Sequence, residues 1–159
     1  MAGGGSVKAV IQRVLEASVV IDGAEHAAIE RGYVVLLGIR TGDTPGDAQF
    51  LAEKCAALRV MGDPQGKMNL SLKDVGGSLL VVSQFTLYGD VQRGHRPSFT
   101  AAAPPAEARP LYENFLQRAG EILGPERVRS GVFGAMMQIR LVNDGPVTIL
   151  IHSHHEAHS

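Results

Sequence analysis

The chain has 159 residues, 45% of them hydrophobic and 19% charged, and its 15 Lys+Arg against 16 Asp+Glu leave a net charge of −1. That length fits one globular domain burying roughly 70% of the surface its unfolded form exposes, and the charge balance excludes a globally basic binder, so any polyanion must be met by a local patch. A single cysteine, Cys55, excludes an internal disulfide and a multi-cysteine zinc site.

Met1 to Ser6 has no apolar core of signal-peptide length, and no run approaches the roughly eighteen apolar residues of a membrane span. Residues 1–6 read as a flexible leader, 7–151 as a single domain and 152–159 as a flexible tail carrying His152, His154, His155 and His158. Terminal and without ligand spacing, that tail is read as solvated rather than as a metal site. A cytoplasmic setting, with no cofactor and no metal, is the expectation.

Val7 to Val14 reads as one strand and Ala17 to Ile21 as a second, ended by Asp22-Gly23. Tyr33 to Ile39 is continuously apolar, the pattern of a strand buried on both faces. Thr44, Pro45 and Asp47 then spell a helix start, with Thr44 as N-cap and Asp47 near the capping-box position. Ala48, Leu51, Ala52, Cys55 and Leu58 share its apolar stripe, which makes Cys55 an inert core thiol rather than a nucleophile.

Asp63-Pro64-Gln65-Gly66 reads as a turn, Lys67 to Leu72 as a short strand and Gly76-Gly77 as a loop. Ser78 to Val82 is a second continuously apolar strand that turns abruptly polar at Ser83-Gln84-Phe85-Thr86-Leu87. A rigid strand whose end offers hydroxyls and backbone amides is a place to build a site, although Ser83 and Thr86 could simply satisfy neighbouring carbonyls. Gly89 to Thr100 is a loop with Arg93, His95 and Arg96, either solvated or a phosphate contact. A second helix follows with Leu111, Phe115, Leu116, Ala119, Ile122 and Leu123 on its stripe. Pro110 belongs in its first turn or marks a kink, and Gly124-Pro125 ends it.

In the last third Met137, Ile139 and Leu141 alternate against Arg140. The run then meets Asn143-Asp144-Gly145-Pro146-Val147-Thr148, whose first reading is a hairpin corner at Asp-Gly. A proline starting the return strand fits that badly, because it removes a ladder donor, and an X-Pro bond has an appreciable chance of being cis. Six or seven strands and two helices in irregular order predict an α+β fold, a small barrel-like and mostly antiparallel sheet with two flanking helices. His26 and His95 are the only histidines outside the tail, and there is no Gly-x-Ser-x-Gly, Walker loop, Gly-x-Gly-x-x-Gly or His-Glu-x-x-His. An enzyme built here would work through backbone donors, hydroxyls and groups of its substrate.

Ser83 to Leu87 and Asn143 to Thr148, taken together, resemble the two signature motifs of the D-aminoacyl-tRNA deacylase family. The resemblance spans about residues 7 to 151. It includes Ala9 to Val14 with Ala17-Ser18-Val19, Gly66-Lys67, Arg96-Pro97-Ser98-Phe99 and Gly134 to Gln138. It implies a homodimer that hydrolyses the ester of a D-amino acid, or of glycine mischarged on tRNA-Ala, at the 3′ end of tRNA. The partners implied are tRNA and a second copy of the chain, with neither DNA nor membrane. Carried over, Gly145 and Pro146 become a cis-peptide gate reaching into the partner's pocket, where it rejects L-aminoacyl esters. Ser83, Gln84, Phe85 and Thr86 line the catalytic end, and amides near Phe85 and Thr86 stabilise the oxyanion. Met137 packs beside the pocket, Asn143 and Thr148 brace the bend, and Val147 belongs with the gate; Arg93, His95 and Arg96, the densest cationic patch, are the candidates for contact with the tRNA backbone.

Two mechanisms follow, attack by Thr86 or activation of water with help from the ribose 2′-hydroxyl, and the absence of an obvious base favours the second. A non-catalytic tRNA-end-binding module is a rival reading. A deacylase of the other chirality, whose first motif begins with Pro and whose Gly-Pro bond is trans, is disfavoured by Ser83.

Overall fold

The computed structural model describes residues 6–153. Eight strands and three helices follow one another as β1 (Lys8–Ile21), β2 (Ala24–Ile29), β3 (Gly32–Gly38), α1 (Pro45–Ala57), β4 (Met61–Gly62), β5 (Met68–Leu70), α2 (Leu72–Val75), β6 (Ser78–Ser83), α3 (Pro105–Leu123), β7 (Val128–Ser130) and β8 (Gln138–His152). The main sheet runs β2-β1-β3-β6-β7, with β8 along the other edge of β1. The β1 pairings with β2, β3 and β8 are antiparallel, whereas β3-β6 and β6-β7 are parallel. Because β2 returns against β6 and β7, the sheet is nearly closed into a barrel.

The continuously apolar strands are buried on both faces, as their composition requires. On β3 and β6, Tyr33, Val35, Leu37, Leu79 and Val81 meet Leu51, Cys55, Leu111 and Phe115 of α1 and α3. The alternate residues Val34, Leu80 and Val82 fill the barrel interior with Val14, Val19 and Ile29. The expected split of β1 into two strands does not occur. Ala9 and Ile11 face the helices, while Val14, Ala17 and Val19 face the interior. The change of parity falls between Val14 and Ala17, where the pairing with β8 slips by one residue. Inserting one residue in a period-two strand exchanges its faces, so Leu15 and Glu16 point out and the strand continues.

The hairpin expected at Asp144-Gly145 is also corrected. Both halves of β8 pair antiparallel with β1 in the same direction, Ile139 with Val19 and Thr148 with Gln12, so the chain does not reverse. Local turn residues are overruled by a partner strand long enough to hold both flanks.

Two helices flank the sheet, and a third was not expected. Ser71 and Asp74 form a reciprocal capping box, and Gly76 ends α2 in the left-handed region, so Leu72 leaves the strand read for Lys67 to Leu72. The Asp63–Gly66 turn joins β4 to β5. The Thr44–Asp47 capping box starts α1 as expected. Pro110 does not fall in the first turn of α3: Pro105 takes the first helical position, and Pro110 lies a turn further on, leaving the Ala106 carbonyl without its intrahelical donor.

At the end of the described chain His152 belongs to β8, one residue past the boundary expected, and pairs with Lys8. Buried Ser153 receives the Val7 amide on its Oγ at 2.9 Å and donates its own amide to the Val7 carbonyl at 3.0 Å. Met1 to Gly5 and His154, His155 and His158 lie outside the described residues. No helix among the described residues is long and apolar enough to cross a membrane.

Candidate active site

β6 ends at Ser83, and the Gln84 amide bonds the Leu37 carbonyl at 2.8 Å, carrying the parallel pairing one residue beyond the strand. Phe85 to Tyr88 then wind into a single 3₁₀ turn. The Leu87 amide returns to the Gln84 carbonyl at 3.2 Å, whereas Phe85 and Thr86, first in the turn, have no acceptor within it. Gly38 lies under this turn, where an added Cβ would stand 3.2 Å from the Gln84 carbonyl oxygen and 3.1 Å from Leu87 Cβ. The Gln84 carboxamide donates to the Thr86 hydroxyl. An amide is no base, so this contact orients Thr86 without activating it.

In front of the turn is a cleft of about 720 Å³ lined by Val82, Ser83, Gln84 and Phe85, by Ile39, Phe99, Ala102, Ala103, Pro105 and Ala108, and by Phe133 to Met137 with Ile139. None of these side chains is ionisable. Apolar walls with a few convergent polar groups suit a ligand carrying a flat apolar portion. Thr86 itself is exposed beside the cleft rather than in its wall. Phe99 packs edge-on against Phe85, with ring centroids 5.2 Å apart at 72°. It follows a loop closed by paired amide-carbonyl bonds between Asp90 and Ser98, at 2.7 and 2.8 Å. Arg93, His95 and Arg96 are exposed on that loop, which Phe99 anchors at the rim of the cleft.

The second motif is built differently. Between the pairs Gln12–Thr148 and Val14–Asn143, the four residues Asp144 to Val147 stand opposite Arg13 alone, so β8 bulges there. Arg13 holds the bulge: its Nε donates to the Asp144 carbonyl at 3.1 Å and its Nη1 to the Val60 carbonyl at 2.7 Å, with the Asp144 carboxylate 3.6 Å away. The Asn143 amide closes the base of the bulge, donating to the carbonyls of Arg13 at 2.9 Å and Val147 at 3.0 Å. The Thr148 hydroxyl lies 3.5 Å from Asn143 Oδ1. Gly145 has φ 125°, and a Cβ there would come within 3.0 Å of Arg13 Nη2 and 2.8 Å of Val147 Cγ2. Only glycine fits. The Gly145–Pro146 peptide is cis, and both residues are exposed.

Ser83, Gln84, Phe85 and Met137 are therefore brought to one cleft, while Asn143, Gly145, Pro146, Val147 and Thr148 do not line it. The family model described as D-Tyr-tRNA(Tyr) deacylase matches residues 10–152. The chain belongs to this family. It is 57% identical over 150 residues to a D-aminoacyl-tRNA deacylase of Roseiflexus castenholzii, covering 92% of each chain. It is 56% identical to that of Thermus aquaticus, covering 92% of this chain and 95% of the other. Among solved structures, one named c-Myc DNA Unwinding Element Binding Protein superposes with a TM-score of 0.86 at 43% identity, over 91% of this chain and 97% of that one. A structure described as a probable eukaryotic D-amino acid tRNA deacylase shares the fold, with a TM-score of 0.80 at 17% identity, over 92% and 99%.

Arg13, Phe133 and Ala108 were given no role by sequence reasoning. A cation in the middle of a largely apolar strand was the only signal for Arg13, because its acceptors are carbonyls 47 and 131 residues away. Cys55 is buried in the core, and burial pushes its thiol up, far from a thiolate nucleophile. Among the described residues no three His, Cys, Asp or Glu side chains gather as a metal cage.

Proposed function

We propose that this chain hydrolyses the ester linking a D-amino acid to the 3′-terminal adenosine of tRNA, in the cytoplasm and as a homodimer. The observation that carries the reading is a cleft without ionisable side chains, whose polar end is Ser83, Gln84 and the first amides of a 3₁₀ turn. The terminal adenosine lies along the apolar walls. The ester carbonyl meets the amides of Phe85 and Thr86, where each oxyanion donor lowers the barrier by about 3 kcal/mol. With no base at the cleft wall, the attacking water is activated with help from the ribose 2′-hydroxyl, and Thr86 positions rather than attacks.

Chirality is read by Gly145 and Pro146 of the second copy of the chain. A wall of fixed backbone excludes an L side chain whatever its identity, and admits glycine as well as D-amino acids, including glycine mischarged on tRNA-Ala. The family resemblance supplies this role. The exposure of both residues, and their absence from the wall of their own chain's cleft, support it. Arg93, His95 and Arg96, held at the rim by Phe99, take the phosphates of the tRNA end.

The test is single-turnover release of amino acid from D-tyrosyl-tRNA, L-tyrosyl-tRNA and D-tyrosyl-tRNA ending in 2′-deoxyadenosine. Cleavage of the first alone supports the reading. Retention of the tRNA end without release above the spontaneous rate makes the chain a binding module, and equal cleavage of L-alanyl-tRNA overturns the gate. The likeness to a protein named for a DNA element favours a second reading, DNA binding. The net charge of −1 and the apolar cleft weigh against it. Duplex and single-stranded DNA that compete with D-tyrosyl-tRNA at equal concentration would establish it.

A further inference from the structure

Gly131 is buried directly after β7, and its amide bonds the Val81 carbonyl at 3.0 Å. Its backbone lies outside the left-handed region, so its conformation does not demand glycine. The demand comes from a side chain. A Cβ at this position would stand 2.5 Å from Met137 Sδ and 3.4 Å from Met137 Cε, well inside the roughly 3.5–4.0 Å at which such atoms attract. Met137 in turn lines the cleft.

We propose that Gly131 is a positioning residue whose missing side chain lets the Met137 thioether lie back, setting the depth of the cleft. If Gly131 becomes alanine, the sulfur has to move. The barrel interior against which Met137 packs is closed to it, because Val19 is fully buried and Val82 nearly so. The free space is the cleft. A thioether with three rotatable bonds turns into it at little cost to stability, so the change registers in the site rather than in the fold. A displacement of about 1 Å beside a reacting group lowers rates by up to about 100-fold.

The consequence for catalysis rests on the deacylase reading, whereas the displacement of Met137 does not. The experiment is a double-mutant cycle of Gly131→Ala and Met137→Ala with three readouts. These are kcat/KM on D-tyrosyl-tRNA, binding of adenosine as probe, and the ¹³C-methyl resonance of Met137. With native Met137, Gly131→Ala is expected to shift that resonance, weaken adenosine binding and lower kcat/KM about tenfold or more, with Tm within a few degrees. In the Met137→Ala background the same change is expected to alter binding and kcat/KM by less than about twofold. Equal losses in the two backgrounds, or failure to fold in both, overturn the proposal, as does an unshifted Met137 resonance with unchanged adenosine binding. If the native chain leaves D-tyrosyl-tRNA intact, the deacylase reading fails, and the resonance and adenosine binding still decide the role of Gly131.

Discussion

The end of β6 and the bulge of β8 carry the two family motifs, and they are held by opposite means. Ser83 to Leu87 is fixed by backbone: a parallel partner strand, the Gln84 amide on the Leu37 carbonyl and a glycine floor at Gly38. Asn143 to Thr148 is fixed by side chains, chiefly those of Arg13 and Asn143, reaching carbonyls that the strand ladder leaves open. A backbone-held element tolerates substitution of its own side chains. A side-chain-held one depends on single residues outside or at the foot of the motif.

The sharpest way to break that contrast is Arg13→Ala. It strips donors from the carbonyls of Asp144 and Val60, and hydrogen bonds from a charged group contribute about 1.5–3 kcal/mol each. Urea unfolding is expected to show a loss of about 3 kcal/mol, and single-turnover deacylation of D-tyrosyl-tRNA a loss of about 100-fold. Activity within threefold of the native chain would mean the bulge holds itself. Asn143→Ala should be milder, about 2 kcal/mol in the same unfolding assay, because two neutral bonds are lost.

Tyr33, paired with Arg13 across β1 and β3, tests the ground beneath the bulge. Its buried hydroxyl has no hydrogen-bond partner among the described residues. Tyr33→Phe is therefore expected to stabilise the fold, by about 1 kcal/mol in the same unfolding assay. Burial pushes its phenol from 10.0 up to about 12, and that of Tyr112 likewise. Below pH 10 both phenols are protonated, folded or not, and the stability they contribute is complete. As pH rises from 10 towards 12 the unfolded chain ionises first, and each tyrosine withdraws about 1.4 kcal/mol per pH unit. Burial raises the Tyr88 phenol and the Cys55 thiol as well, so Tyr33→Phe should lessen that alkaline slope by about 1.4 kcal/mol per pH unit and leave the share of the other three groups, measured as unfolding free energy against pH. The smallest effect is expected at the backbone-held motif, where Thr86→Ala should slow single-turnover deacylation by less than about fivefold. Near-total loss with tRNA binding intact would make Thr86 the nucleophile.

The sequence was legible where one residue's chemistry settles a local question. Two-sided burial of β3 and β6, the Thr44 cap and the polar break at Ser83 all follow from short runs. The bulge was not, because Asp-Gly followed by Pro has the chemistry of a corner, and only pairing with β1 on both flanks keeps the strand going. Arg13 was unreadable for a related reason: backbone carbonyls have no sequence signature. The motifs themselves were recognised by resemblance, and what local physics contributed was the misfit of Pro146.

The pairing of Val7 with Ser153 sets the order in which the sheet can be finished on the ribosome. β1 precedes β2 and β3 and can gain them early, but the partner for its remaining edge, Gln138–His152, follows all the other described strands. Until then a fourteen-residue strand with apolar neighbours presents open amides and carbonyls along one edge, the kind of edge that recruits foreign strands. Nascent chains truncated before β8 are thus the form of this protein most in need of a chaperone.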